Sequence, residues 1–350
     1  MTRELRVNNF DLLRIFAALQ VVMLHGALHL GVAKPAWWWV VDAFPGVPIF
    51  FMISGFLISA SYERSSSVGS YARNRILRIY PGLWCCLLVT MLVASLFGFG
   101  FLHRQGLEWL LCQLIGVIYT PHFLKGFGFG SYNGSLWTIP IELQFYAVLP
   151  ILYWMTRKAP NRTALYGVAW AIFLGIALGA SIMFAPLSEP GDEPLVQKLL
   201  RYSFLPHFYL FLTGVLFQRL QVYRYNWIAG KGLYWVAGYL LLVRIVPYSA
   251  PAYVAFMLVL AVAAVSVAYS APNLAHNILR GNDISYGVYI YHGLLINVFI
   301  ELGLVGRGVY VALIACCACA AAYVSWIGVE RPCLRRKKQT LAPRYAAAAQ

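Results

Sequence analysis

Residues 10–31 read FDLLRIFAALQVVMLHGALHLG, an apolar run of the length that crosses a bilayer as a helix. It carries Asp11, Arg14 and His25. Arg14 and His25 are separated by ten residues. Eleven helical steps advance roughly 16 Å and return to nearly the same angle, so the two side chains share a face, one near the entry side of the membrane and one deeper. Asp11 falls on that face one turn earlier. Ionisable groups at such depths face a bundle interior or a water-filled cavity. A snorkelling Arg14 paired with Asp11 is the plain alternative. The run reads as a retained first helix and not a cleaved signal peptide, being too long, charged, and without a small-residue cleavage site.

The remainder of the chain repeats this pattern. Of 350 residues 61% are hydrophobic and 11% charged, and the mean hydropathy is +0.69, far from a soluble globular domain. Ten candidate spans follow, at roughly 10–31, 39–60, 80–102, 134–156, 164–186, 204–220, 232–247, 252–270, 284–303 and 309–329. The stretch 108–119 is too short to cross and reads as re-entrant or lying on the outer surface. The fold expected is an all-α polytopic membrane protein of about ten transmembrane helices, one domain over residues 1–335, with a basic, disordered cytoplasmic tail at 336–350.

Basic residues set the orientation. Arg3 and Arg6, the group Arg64, Arg73, Arg75 and Arg78, then Arg157, Lys158 and Arg162, Arg219, Arg224 and Lys231, Arg280, and finally Arg331 to Lys338 fall on one side of an alternating ten-span chain. The positive-inside rule makes that side, and both termini, cytoplasmic. The opposite loops include the acidic Glu189, Asp192 and Glu193. The net charge of +15 is then a topology signal and an attraction to anionic membrane lipids, with no nucleic-acid partner implied. The seven cysteines form no disulfide framework or CxxC metal pattern.

Four segments place polar chemistry where lipid penalises it. In the first, His25 and His29 supply only half a zinc site and no HExxH glutamate accompanies them, so no metal is expected. In the second, IFFMISGFLIS at 49–59, Ser54 and Gly55 permit close packing of this helix against the first, or Ser54 bonds a substrate. In the third, YARNRILRIYP at 71–81, Arg75 and Arg78 lie side by side on a helix, suited to clamping phosphate or serving topology alone; Pro81 marks the start of the next helix. In the fourth, GSLWTIPIELQFYAVLP at 134–150, Glu142 is costly at membrane depth unless paired, and Ser135, Glu142 and Tyr146 share a face. A similar stripe, Ser285, Tyr289 and His292, runs along SYGVYIYH; it reads equally as an aromatic packing seam.

These motifs, in this order, resemble the integral-membrane acyltransferase-3 family. FDLLRIFAALQVVMLH is similar to its first-helix pattern of a base, ten residues and His; FFMISGFLIS, RNRILRIYP, SLWTIPIELQFY and SYGVYIYH resemble its other signatures. The resemblance implies about ten helices in a bacterial inner membrane, an acyl-CoA donor (acetyl-CoA foremost) reached from the cytoplasm, and an acceptor hydroxyl on a carbohydrate or lipid-linked glycan. Site residues expected on this basis are His25, Glu142 and Arg14 for catalysis, Arg14, Arg75 and Arg78 for the donor, and Ser54, Ser135, Trp137, Tyr146, Tyr289 and His292 for the acceptor. Oligomeric state is left open. The rival class is a transporter or flippase, since buried Arg, His and Glu also serve substrate pathways.

Overall fold

A computed structural model describes residues 9–184 and 195–336 of the chain. Arg3, Arg6, the acidic stretch at 189–193 and the tail from residue 337 lie outside the described residues. The helices are α1 (Phe10–His29), α2 (Trp39–Ala43), α3 (Gly46–Glu63), α4 (Val68–Leu96), α5 (Arg104–Leu114), α6 (Thr138–Met155), α7 (Arg162–Met183), α8 (Leu195–Arg201), α9 (Phe208–Arg219), α10 (Gly232–Ile245), α11 (Ala250–Ala268), α12 (Leu274–Leu279), α13 (Ser285–Glu301), α14 (Gly308–Ser325) and α15 (Arg331–Leu334). A π-turn at Trp326–Glu330 joins the last two. Among the described residues there is no strand. The protein is an all-α polytopic membrane protein.

Each of the ten expected spans coincides with a helix. Seven are long and apolar enough to cross a membrane by themselves. The other three, α9, α10 and α13, run 12, 14 and 17 residues, short of the usual twenty. α13 is nonetheless the most enclosed, with Tyr286, Tyr289, Tyr291 and His292 all buried between α1 and α14.

Two local expectations are corrected. The third span does not begin at Pro81: α4 is one helix of 29 residues with Pro81 in its interior. It starts at Val68 because Ser67 Oγ caps it, accepting from Ser70 N at 3.1 Å. Arg75 and Arg78 therefore stand on a rigid helix and not in a loop. Gly55 packs against α9 and not the first helix. A Cβ there would meet the Phe211 carbonyl oxygen at 1.8 Å, and one at Gly214 would meet that of Met52 at 2.0 Å. The contact to α1 belongs to Gly46, whose Cβ would meet Ala17 O at 2.2 Å.

The 108–119 stretch falls largely on α5. The carbonyls at its C-terminal end, Leu114 and Ile115, accept from the Trp84 indole at 3.0 Å and the Tyr80 hydroxyl at 3.1 Å. Those donors sit in the middle of α4, so the end of α5 is held beside it, and side chains supply partners for carbonyls that a helix end leaves free. The return segment is fixed to α13 by Asn297, which donates to Ser131 O and Tyr132 O at 2.8 and 3.0 Å.

Candidate active site

At one end of the bundle a single carboxylate gathers two helices. Asp283, in the loop before α13, accepts on Oδ2 from Arg14 of α1 and Arg78 of α4, both at 2.5 Å. Its Oδ1 accepts from the Ser285 hydroxyl at 2.6 Å and Ser285 N at 3.3 Å. Burial by itself pushes this carboxyl up, but the Arg14 and Arg78 guanidiniums, with Ser285, outweigh it and hold it well below the usual carboxylate range. Asp11, the partner expected for Arg14, forms a second and longer ion pair with it at 4.0 Å.

Above this cluster lies a cavity of about 800 Å³, its open mouth included. α1 contributes Arg14, α3 Ser54 and Phe50, α4 Arg75 and Arg78, α6 Thr138, Glu142 and Tyr146, and α13 Tyr286 and Tyr289. Glu142 accepts from the Tyr146 hydroxyl, and the Arg75 guanidinium lies 5.7 Å from the Tyr146 ring centre. Arg75 differs from its neighbours. Among the described residues it has no ion-pair partner, and its Nε is buried without an acceptor. A guanidinium left so in a basic cavity is a ready anion ligand.

The cavity ends at Tyr289, whose hydroxyl is held by Ser135 O at 2.7 Å and Thr138 Oγ1 at 2.9 Å. Past it stands His292, 5.7 Å from Tyr289 between ring centres and fully buried. His292 Nε2 is 3.2 Å from His25 Nδ1. His29 stacks on Phe129 at 3.8 Å between ring centres, and its ring centre is 5.9 Å from that of His25.

The structure brings most of the expected residues together but divides them. Arg14, Arg75, Arg78, Ser54, Glu142, Tyr146 and Tyr289 line the cavity. His25 and His292 form a separate pair outside the cavity lining, with His292 next to Tyr289. Ser135 is buried, donating to Asn133 Oδ1 at 2.5 Å. Trp137 turns away, toward His207 and Tyr202 at 5.9 and 6.3 Å, so neither lines the cavity. Glu142 bonds Tyr146, whereas the bond of His25 goes to His292. Sequence reasoning missed Asp283. Its signal was an acidic residue at the mouth of an apolar span, the mirror of Arg14.

The acyltransferase-3 pattern, described as an acyltransferase domain, matches residues 7–329. The chain is similar to Nodulation protein 10 of Rhizobium leguminosarum bv. viciae, 34% identical over 97% of each chain. It is also similar to the O-acetyl transferase of Shigella phage Sf6, 25% identical over 95% of this chain and 98% of that one. The peptidoglycan O-acetyltransferase OatA of Listeria monocytogenes is 25% identical over 54% of this chain and 30% of its own length. No solved structure matches the chain significantly.

Proposed function

The chain belongs to the acyltransferase-3 family, and on that premise we propose that it is a bacterial inner-membrane O-acetyltransferase that moves acetyl from cytoplasmic acetyl-CoA to a hydroxyl of an exported or cell-surface carbohydrate. The observation that carries this reading is the arginine-lined cavity rising through the bundle toward a histidine pair. Two relatives named as O-acetyltransferases, one of them a peptidoglycan enzyme, support the acetyl group and the carbohydrate acceptor.

The chemistry follows from the residues. Arg75, with Arg78 and Arg14 behind it, receives the donor's phosphates at the basic end, which positive-inside logic makes cytoplasmic. The acyl arm extends along the cavity toward Tyr289, His292 and His25. The acceptor hydroxyl gives its proton to His25 as its oxygen bonds to the thioester carbonyl carbon. The C–S bond then breaks and His25 returns the proton to the departing thiolate. Enclosure by apolar helices keeps water from competing for the acyl group.

Arg75→Gln is expected to raise the apparent KM for acetyl-CoA about tenfold or more with little change in kcat, because a charged hydrogen bond to phosphate contributes about 1.5–3 kcal/mol. Steady-state kinetics in proteoliposomes measure it; an unchanged KM returns Arg75 to a topology role. Glu142→Gln is expected to keep transfer within about tenfold, since the amide oxygen still accepts from Tyr146 and only the charge reinforcement of one bond is lost. A loss beyond a hundredfold would move Glu142 into the chemistry. The function itself is tested by incubating inverted vesicles with radiolabelled acetyl-CoA. Label is expected in a glycan fraction, and solute movement without thioester consumption would indicate a transporter instead.

A further inference from the structure

We infer that His292 is a positioning residue that fixes the tautomer of His25, leaving Nε2 as the basic nitrogen of that imidazole. The inference rests on the reading of His25 as general base and adds which of its atoms acts and what holds it there. A backbone carbonyl sets the first tautomer. His292 Nδ1 lies 2.6 Å from Tyr289 O, and a carbonyl oxygen only accepts, so Nδ1 carries the hydrogen. In an uncharged imidazole the other nitrogen is then a bare acceptor. His292 Nε2 therefore accepts, and the group facing it at 3.2 Å, His25 Nδ1, donates. His25 Nε2 is left with its lone pair. Among the described residues that nitrogen has no hydrogen-bond partner, while both nitrogens of His292 are spent.

Two features make the relay directional. His292 is fully buried and Tyr289 is 6% exposed, so water does not compete for the bonds that set the tautomers. The carbonyl belongs to α13 itself, one turn before His292, so the orientation of the imidazole is set by the helix and not by a mobile loop. His29 cannot substitute, stacked as it is on Phe129 at 3.8 Å. The arrangement performs with a second imidazole what a buried carboxylate performs in a Ser-His-Asp triad, where the third member holds the base in the productive tautomer. Here the third member is uncharged, so the site acquires no buried negative charge to repel an anionic donor.

The test uses full-length protein labelled with 15N-histidine in nanodiscs, with the His25 resonances assigned by difference from His25→Gln. Wild-type His25, uncharged, is expected to show a protonated Nδ1 and a bare Nε2. His292→Phe should turn this into a mixture of tautomers and slow transfer by between about 10²- and 10⁴-fold, the span of a general base's contribution. His292→Gln should restore the wild-type signature and bring transfer back to within about tenfold, because one amide offers both an acceptor for His25 and a donor for Tyr289 O. A wild-type His25 protonated at Nε2, an unaltered tautomer in His292→Phe, or a His292→Gln variant as slow as His292→Phe despite a restored spectrum would each overturn the inference. A His25→Gln variant that still transfers acetyl would instead sink the general-base assignment while leaving the tautomer reading to stand on its spectrum.

Discussion

His25→Ala is expected to lower kcat for acetyl transfer by about 10²–10⁴-fold while leaving the apparent KM for acetyl-CoA within a few-fold of wild type. The split follows from geometry. On the proposed reading the donor is received by Arg75, Arg78 and Arg14, and Arg14 stands eleven helical steps, roughly 16 Å, from His25 on α1. Removing the imidazole takes away the proton acceptor and leaves the phosphate ligands in place. The structural cost lies in the ring contacts of His25 with His29 and His292 and in the donor lost to His292 Nε2. A buried acceptor left unmade costs about 1–3 kcal/mol, too little to prevent insertion of a bundle of long apolar helices. The measurement is a radiolabel assay over a range of donor concentrations on equal amounts of folded protein. A variant with normal kcat and raised KM would place His25 in donor binding and remove it from proton transfer.

How much of this was legible in the sequence depended on whether the signal was local. Apolar length located the long helices of the bundle, because lipid demands that backbone groups be satisfied within each segment. The alternation of bases grouped Arg64, Arg75, Arg78, Arg219 and Arg280 toward one end. Helical spacing put Arg75 and Arg78, and Glu142 and Tyr146, on common faces, and the cavity is built from them. Partners distant in the chain were not legible. Asp283 is 269 residues from Arg14 and 205 from Arg78, and His292 is 267 from His25. Nothing in a periodicity pairs such positions. Proline and glycine misled for a related reason. Pro81 carries a first-turn propensity, but the Ser67 cap and the packing of α4 against α13 and the π-turn extend the helix through it. Gly55 announced a close approach without saying to which neighbour.

Asp283→Ala is expected to destabilise the protein more than any other single change at the site, by about 3–5 kcal/mol, because it leaves two largely enclosed guanidiniums facing each other with only the more distant Asp11 and Glu330 as counter-charges. The side chains of Arg14, Arg78 and Asp283 are 20%, 12% and 12% exposed, so water offers the stranded cations little relief. The carboxylate does three things at once. It ties α1 to α4 through Oδ2, secures the first residue of α13 through Oδ1, and, among the described residues, leaves Arg75 outside its ion pairs. Because its pKa is depressed on folding, its stabilisation is fully present above the unfolded carboxylate value near 3.9 and is lost only as pH falls through the lower folded value. Stability between pH 5 and pH 8 should therefore show no slope from this group. Thermal unfolding of detergent-solubilised variants provides the readout, with a double-mutant cycle to apportion it. Arg78→Gln in the Asp283→Ala background should recover part of the loss, since it removes one of the two charges the first change exposed. Strict additivity of the two changes would mean that the pair is not coupled, and that the convergence of three helices at this end is held by packing alone.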